Sequence, residues 1–192
     1  MTCETTSADP PVLPAEDAPQ GSSRGHDHPG GMQLIPPEHA HRRAALVSPE
    51  QLRSRAGQSP LLAGLAPLDR ERLLGRTRVR TWPKHGLILR EGERPANLYL
   101  LLDGLAQLCT VFERNPVTII VLTPGACFAA SALLRDEPML TAVQALSASL
   151  VAEIPAAAFL DLVRAMDPLA QGLLQDFAIG YRNALRELKT MR

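Results

Sequence analysis

Hydrophobic residues fall in three distinct patterns along the chain. Up to about residue 45 there is almost no apolar periodicity, and Pro, Ser, Gly, Asp and Glu dominate. Such a segment cannot bury enough surface to offset its chain entropy, so residues 1–45 are expected to be a disordered extension. From Ser48 the pattern becomes helical. Ser48-Pro49-Glu50 offers a capping hydroxyl followed by proline at the first helical position, and this helix should end near Gly57. A second helix is expected through Pro67, with Leu68, Leu73 and Leu74 along one edge; both helices are assigned to covering a sheet edge.

Val79 to Trp82 opens a series of short apolar runs: Gly86–Leu89, Asn97–Leu102, Ala106–Val111, Thr118–Leu122, Thr141–Val143 and Ser149–Glu153. Turn formers at Gly92, Asp103-Gly104, Asn115-Pro116 and Pro124-Gly125 separate them, so they read as strands of a small antiparallel barrel. Trp82 next to Pro83 fits an edge position. Phe112 to Pro116 reads as a polar hairpin tip, and the longest interruption is the loop over 125–140.

The third pattern is helical again. A helix is predicted from Ala156 to Met166, and Asp167-Pro168 supplies the cap for a last, long one running to about Met191. There Leu174, Ala178, Tyr181, Leu185 and Leu188 repeat at steps of four and three, the spacing of a two-helix seam. A second apolar set, Leu169, Leu173, Phe177 and Ala184, is available for the barrel, which leaves the first free to face a partner. The expected organisation is thus an extension over 1–45, a barrel with flanking helices over 46–166 and a dimerisation helix over 167–192.

The chain has 192 residues, 45% hydrophobic and 21% charged, enough for one domain with a sizeable core plus a tail. Aromatics are 4%, so that core must be mostly aliphatic. Twenty Lys and Arg balance twenty Asp and Glu, which removes any global pull toward nucleic acid or anionic membrane. No apolar stretch is long enough for a membrane helix and no signal-peptide pattern opens the chain, so the expected location is the cytoplasm. Cys3, Cys109 and Cys127 lack metal-ligand spacing and read as free thiols, with a Cys109–Cys127 disulfide as the alternative. His26-Asp-His28 and His39-Ala-His41 could ligate a transition metal or simply belong to a polar tail; the tail reading is preferred and no metal site is assigned. No nucleophile–base pair, phosphate-cradling glycine loop or paired carboxylate points to an enzyme.

Pro83-Lys-His-Gly86, Glu91-Gly92, Leu98-Tyr99-Leu100, Leu102-Asp103-Gly104, Pro124-Gly125 and Val143-Gln-Ala145 before Glu153-Ile-Pro155 occur in the order and spacing of the cyclic-nucleotide-binding domain. From about Ser59 to Arg192 the chain resembles the sensor half of the catabolite-activator and fumarate-nitrate-reduction (CRP/FNR) regulators. The resemblance implies an α+β fold: an antiparallel β-barrel of jelly-roll (double-stranded β-helix) type with N-terminal helices and a long C-terminal dimerisation helix. It also implies a ligand pocket around the 125–141 loop, formed by Gly125, Phe128, Ala129, Ala130, Ser131, Ala132, Leu133, Arg135, Met139, Leu140 and Thr141.

In that fold a cyclic nucleotide takes amides at a helix N-terminus, an Arg for the phosphate and a Glu for the ribose. Here Met139 stands where the Arg belongs, Ala130 where the Glu belongs and Ala129 at the usual Gly. Arg135 could serve the phosphate only if the loop were re-registered, with Asp136 and Glu137 opposing it. No cofactor is therefore expected, cyclic nucleotide and haem (through His85) being the alternatives. Relatives continue into a helix-turn-helix domain; this sequence ends at Arg192, so autonomous DNA binding is not expected of it. The iron–sulfur cysteine cluster of some relatives is missing. The expected function is a homodimeric regulatory sensor domain with a degenerate site. A structural module that binds no small molecule, or a sensor of haem or another hydrophobic ligand, are the alternatives.

Overall fold

The computed structural model describes residues 43–44, 46–112 and 115–190. The extension over 1–42, with Cys3, His26, His28, His39 and His41, lies outside the described residues.

Among the described residues, nine strands form two antiparallel sheets. They are β1 (Arg43–Ala44), β2 (Arg78–Trp82), β3 (Leu87–Leu89), β4 (Asn97–Asp103), β5 (Ala106–Phe112), β6 (Asn115–Leu122), β7 (Cys127–Phe128), β8 (Ala142–Ala145) and β9 (Ser149–Pro155). One sheet runs β1-β2-β9-β4-β7 and the other β3-β8-β5-β6, an α+β arrangement compatible with a jelly roll. Tyr99 pairs with Glu153 across β4 and β9, and Leu108 with Val143 across β5 and β8.

Among the described residues, six helices flank the sheets: α1 (Pro49–Ala56), α2 (Pro60–Ala63), α3 (Pro67–Leu74), α4 (Ala130–Arg135), α5 (Ala156–Arg164) and α6 (Pro168–Thr190). The start of α1 follows its sequence: the Gln51 amide donates to Ser48 Oγ, the Ser48 amide donates to Gln51 Oε1, and proline occupies N1. Gly57 closes it.

Strand β4 shows why a continuous apolar run was needed. Its side chains alternate between two cores: Tyr99 and Leu101 join Trp82, Leu108, Val143 and Val151 between the sheets, while Leu98, Leu100 and Leu102 join Leu52, Leu62, Leu73, Ile154 and Phe159 beneath the helices. The N-terminal helices therefore cover the face of the five-stranded sheet, not its edge as expected. Trp82 is also not at an edge: β2 lies between β1 and β9, and the indole is buried in the inter-sheet core. The short strand Arg43–Ala44 pairs with Thr81 and Arg80, within the stretch expected to belong to the extension. Cys109 and Cys127 are both free thiols.

Candidate functional site: a cavity between the barrel and the last helix

The 125–141 loop is held at both ends by backbone geometry. Gly125 has φ 92, and a Cβ there would stand 2.9 Å from the Gln58 carbonyl oxygen. At the far end Met139 is bracketed: its amide donates to Glu93 O and its carbonyl accepts from Gly92 N, both at 2.8 Å. Between them β7 adds a strand to β4, which stacks Phe128 on Tyr99 with ring centroids 5.2 Å apart. Strand β7 was not foreseen, since two residues leave no periodicity to read. Ala129 then takes a left-handed conformation, φ 72, to start α4. That conformation favours glycine, and an alanine there carries strain on the order of 1 kcal/mol.

Helix α6 packs beside this loop and walls one side of a half-open cavity of about 370 Å3. The side-chain oxygen of Asp167 accepts from Leu169 N at the helix start. Ala178, Arg182 and Leu185 are its buried residues, and Leu174 packs against the core under the helices. Leu169, Leu173 and Phe177 are solvent-exposed. The two apolar stripes thus sit opposite to expectation within this chain. The set read as a seam, Leu174, Ala178, Tyr181 and Leu185, lines the cavity, and its fifth member, Leu188, is exposed. The set assigned to the barrel faces outward, with Phe177 reaching the cavity rim.

The barrel side of the cavity is Leu108, Ile120, Leu122, Cys127, Phe128 and Met139. Of the residues expected from the sequence, Phe128, Ala129, Ala130, Ser131, Met139, Leu140 and Thr141 line it. Ala132 and Leu133 lie in the two cores instead, and Gly125 works as the turn. Arg135 does not line the cavity; its Nε lies 3.8 Å from Glu137. His85 is likewise absent from the lining: it occupies the β2–β3 turn with φ 67, its amide donating to Ala145 O. The haem alternative through His85 therefore has no support in this geometry.

Polar residues to which the sequence assigned no such role clamp α6 to the loop. Arg182, only 2% exposed, donates from Nε to Glu137 (3.0 Å) and from Nη2 to the Pro138 carbonyl (2.9 Å). Arg186 donates to the same carboxylate at 2.7 Å. Lys189 donates to Leu140 O at 3.1 Å and to the Glu91 carboxylate, and Gln175 donates to Leu134 O at 3.3 Å. Desolvation pushes the Glu137 carboxyl up, but Arg182 and Arg186 outweigh it and hold the group below its ordinary value. Burial pushes the Cys127 thiol up, against a weaker opposing contact with Ser59. It also raises the Tyr181 phenol. Neither group is set up as a nucleophile or base, since each is shifted away from its ionised form.

Among the described residues, no group of three His, Cys, Asp or Glu could hold a metal ion. No helix among them is long and apolar enough to cross a membrane.

The sequence profile described as the cyclic nucleotide-binding domain matches residues 79–166. No curated protein matches the chain. Several solved structures share the fold. The sensor domain of the transcriptional regulator DNR from Pseudomonas aeruginosa is 20% identical, with TM-score 0.60 over 72% of this chain and 94% of that one. The Thermus thermophilus catabolite activator protein is 26% identical, with TM-score 0.55 over 69% and 63%. The regulatory domain of Toxoplasma gondii PKA, crystallised with cAMP, is 24% identical, with TM-score 0.54 over 58% and 42%. The chain thus spans less than two thirds of the length of the last two.

Proposed function

From the match of residues 79–166 to the cyclic nucleotide-binding domain, we propose that the chain is a non-enzymatic regulatory sensor of CRP/FNR type that does not use cyclic AMP and acts as a homodimer through α6. The supporting observation is the position of α6. One face of this helix walls the cavity through Leu174, Ala178, Arg182 and Leu185, while the other carries Leu169, Leu173, Phe177 and Leu188 outward. A helix that is both the wall of a pocket and a contact face converts occupancy of the first into geometry at the second.

The 125–141 loop argues against the way relatives hold a cyclic phosphate. On the register read from the sequence, Met139 and Ala130 stand where the resemblance expects the phosphate arginine and the ribose glutamate, and both line the cavity without offering a charge. Loss of a charge-assisted hydrogen bond to the phosphate alone costs about 1.5–3 kcal/mol, or one to two decades in affinity. DNA recognition would require a further domain in the full protein, and the expected compartment is the cytoplasm. Calorimetric titration with cyclic AMP and cyclic GMP tests the reading. Silence up to high-micromolar nucleotide is expected, and micromolar binding at the cavity would overturn it.

A further inference from the structure

The cavity is apolar on nearly every side, yet one wall holds a buried cation. Arg182 lines it and is almost fully enclosed. Its Nε and Nη2 are committed to Glu137 and Pro138, and no bond of Nη1 is found among the described residues. Glu137 in turn serves three guanidinium groups, those of Arg135, Arg182 and Arg186, with Nε or Nη2 to carboxylate distances of 3.8, 2.9 and 2.7 Å. Neighbouring acids do not make up the difference, because Asp136 is paired with Arg94 and Glu91 with Lys189. One carboxylate against three cations leaves this corner of the site positive. Of the three guanidinium groups only that of Arg182 is buried, and with Nε and Nη2 on Glu137 and Pro138 its remaining nitrogen can take a second anion beside Glu137.

We infer that the effector is an amphipathic monocarboxylate, an acyl chain whose carboxylate meets Arg182 beside Glu137. This rests on the sensor reading above and specifies its ligand. The apolar part would lie between Leu108, Leu122, Phe128 and Met139 on the barrel and Ala178 and Leu185 on α6. The volume of about 370 Å3 equals roughly a dozen water-sized groups at about 30 Å3 each, the size of a medium-length acyl chain. A second carboxylate on the same guanidinium repels that of Glu137 and weakens the contact between Glu137 and Arg182. Because the Glu137 contacts clamp α6 to the loop, binding loosens that clamp and reaches the outward face of the helix.

The test is calorimetric titration of the full chain with decanoate, with decanol and with cyclic AMP, below the micellar concentration. Decanoate is expected to bind about tenfold to a hundredfold tighter than decanol, the worth of one charge-assisted hydrogen bond. Arg182→Gln should bring the two within about threefold of each other, the tenfold-or-greater preference having gone with the cation. Ala178→Leu, which fills the cavity and leaves the charges in place, should abolish both. Decanol binding as well as decanoate to the unaltered protein overturns the inference. So does failure of both to bind, an outcome that leaves the sensor reading standing if cyclic AMP is also silent. Cyclic AMP binding that excludes decanoate overturns the sensor reading as well.

Discussion

Phe177 is the most informative position on α6. It is 75% exposed and contributes little to the fold of a single chain, so replacing it separates association from folding. In a two-fold dimer built on the outward stripe, Phe177→Asp removes two phenyl groups from one interface. Full burial of such a side chain is worth about 1.5–3 kcal/mol, so the pair accounts for about 3–6 kcal/mol, or two to four decades in the dimer dissociation constant. Leu185→Asp is the control on the inward face. Leu185 is 5% exposed, and truncating it costs the fold about 2–5 kcal/mol before the buried charge is counted. Sedimentation velocity and urea unfolding read the two effects separately. Phe177→Asp should be monomeric at tens of micromolar with an unchanged urea midpoint measured at matched monomer, whereas Leu185→Asp should lower the midpoint sharply. A wild type that sediments as a monomer at that concentration refutes the reasoning, and so does a dimeric Phe177→Asp.

Three further outcomes follow from the site and the fold. Because the folded Glu137 carboxyl titrates below its ordinary value, its contribution is complete above the unfolded value and is lost as pH falls through the lower folded one. The melting-temperature gap between wild type and Glu137→Gln should therefore close on acidification; a gap that widens would show that the clamp does not depend on the carboxylate. Gly125→Ala forces a side chain into φ 92 and against Gln58 O, and should cost about 1–3 kcal/mol in urea unfolding; a cost under half that range would mean that the turn relaxes freely. Ser48→Ala removes the α1 cap and should cost about 1 kcal/mol by the same assay, with no effect at all contradicting the capping geometry.

The strands were legible because their runs are short, apolar and separated by turn residues whose conformations the structure bears out: Gly92, Gly104 and Gly125 all have positive φ. The α1 cap was legible for the same reason, since a capping box is written within four residues. The faces of α6 were not. Two apolar stripes run along this helix, and spacing fixes that they exist without fixing which one meets the barrel. What decides it is Arg182, which belongs to the inward set although hydropathy alone would place it in water. Its partner Glu137 stands 45 residues earlier, so the pairing has no local signature. Ala129 marks the other limit: the left-handed turn persists where glycine would be the natural choice, held by the surrounding loop and not by its own preference.

The claim that α6 shows one face to the cavity and the other to a second copy can be tested by cross-linking. Gly180 is exposed on the outward stripe, and a Cβ added there meets nothing within 4 Å, whereas Ala178 is buried against the cavity. In a Cys3→Ser background, whose remaining native thiols are the buried Cys109 and the partly buried Cys127, single Gly180→Cys and Ala178→Cys variants are oxidised mildly and run without reductant. The account predicts a covalent dimer for Gly180→Cys and none for Ala178→Cys; efficient cross-linking of Ala178→Cys with none at Gly180→Cys would contradict it.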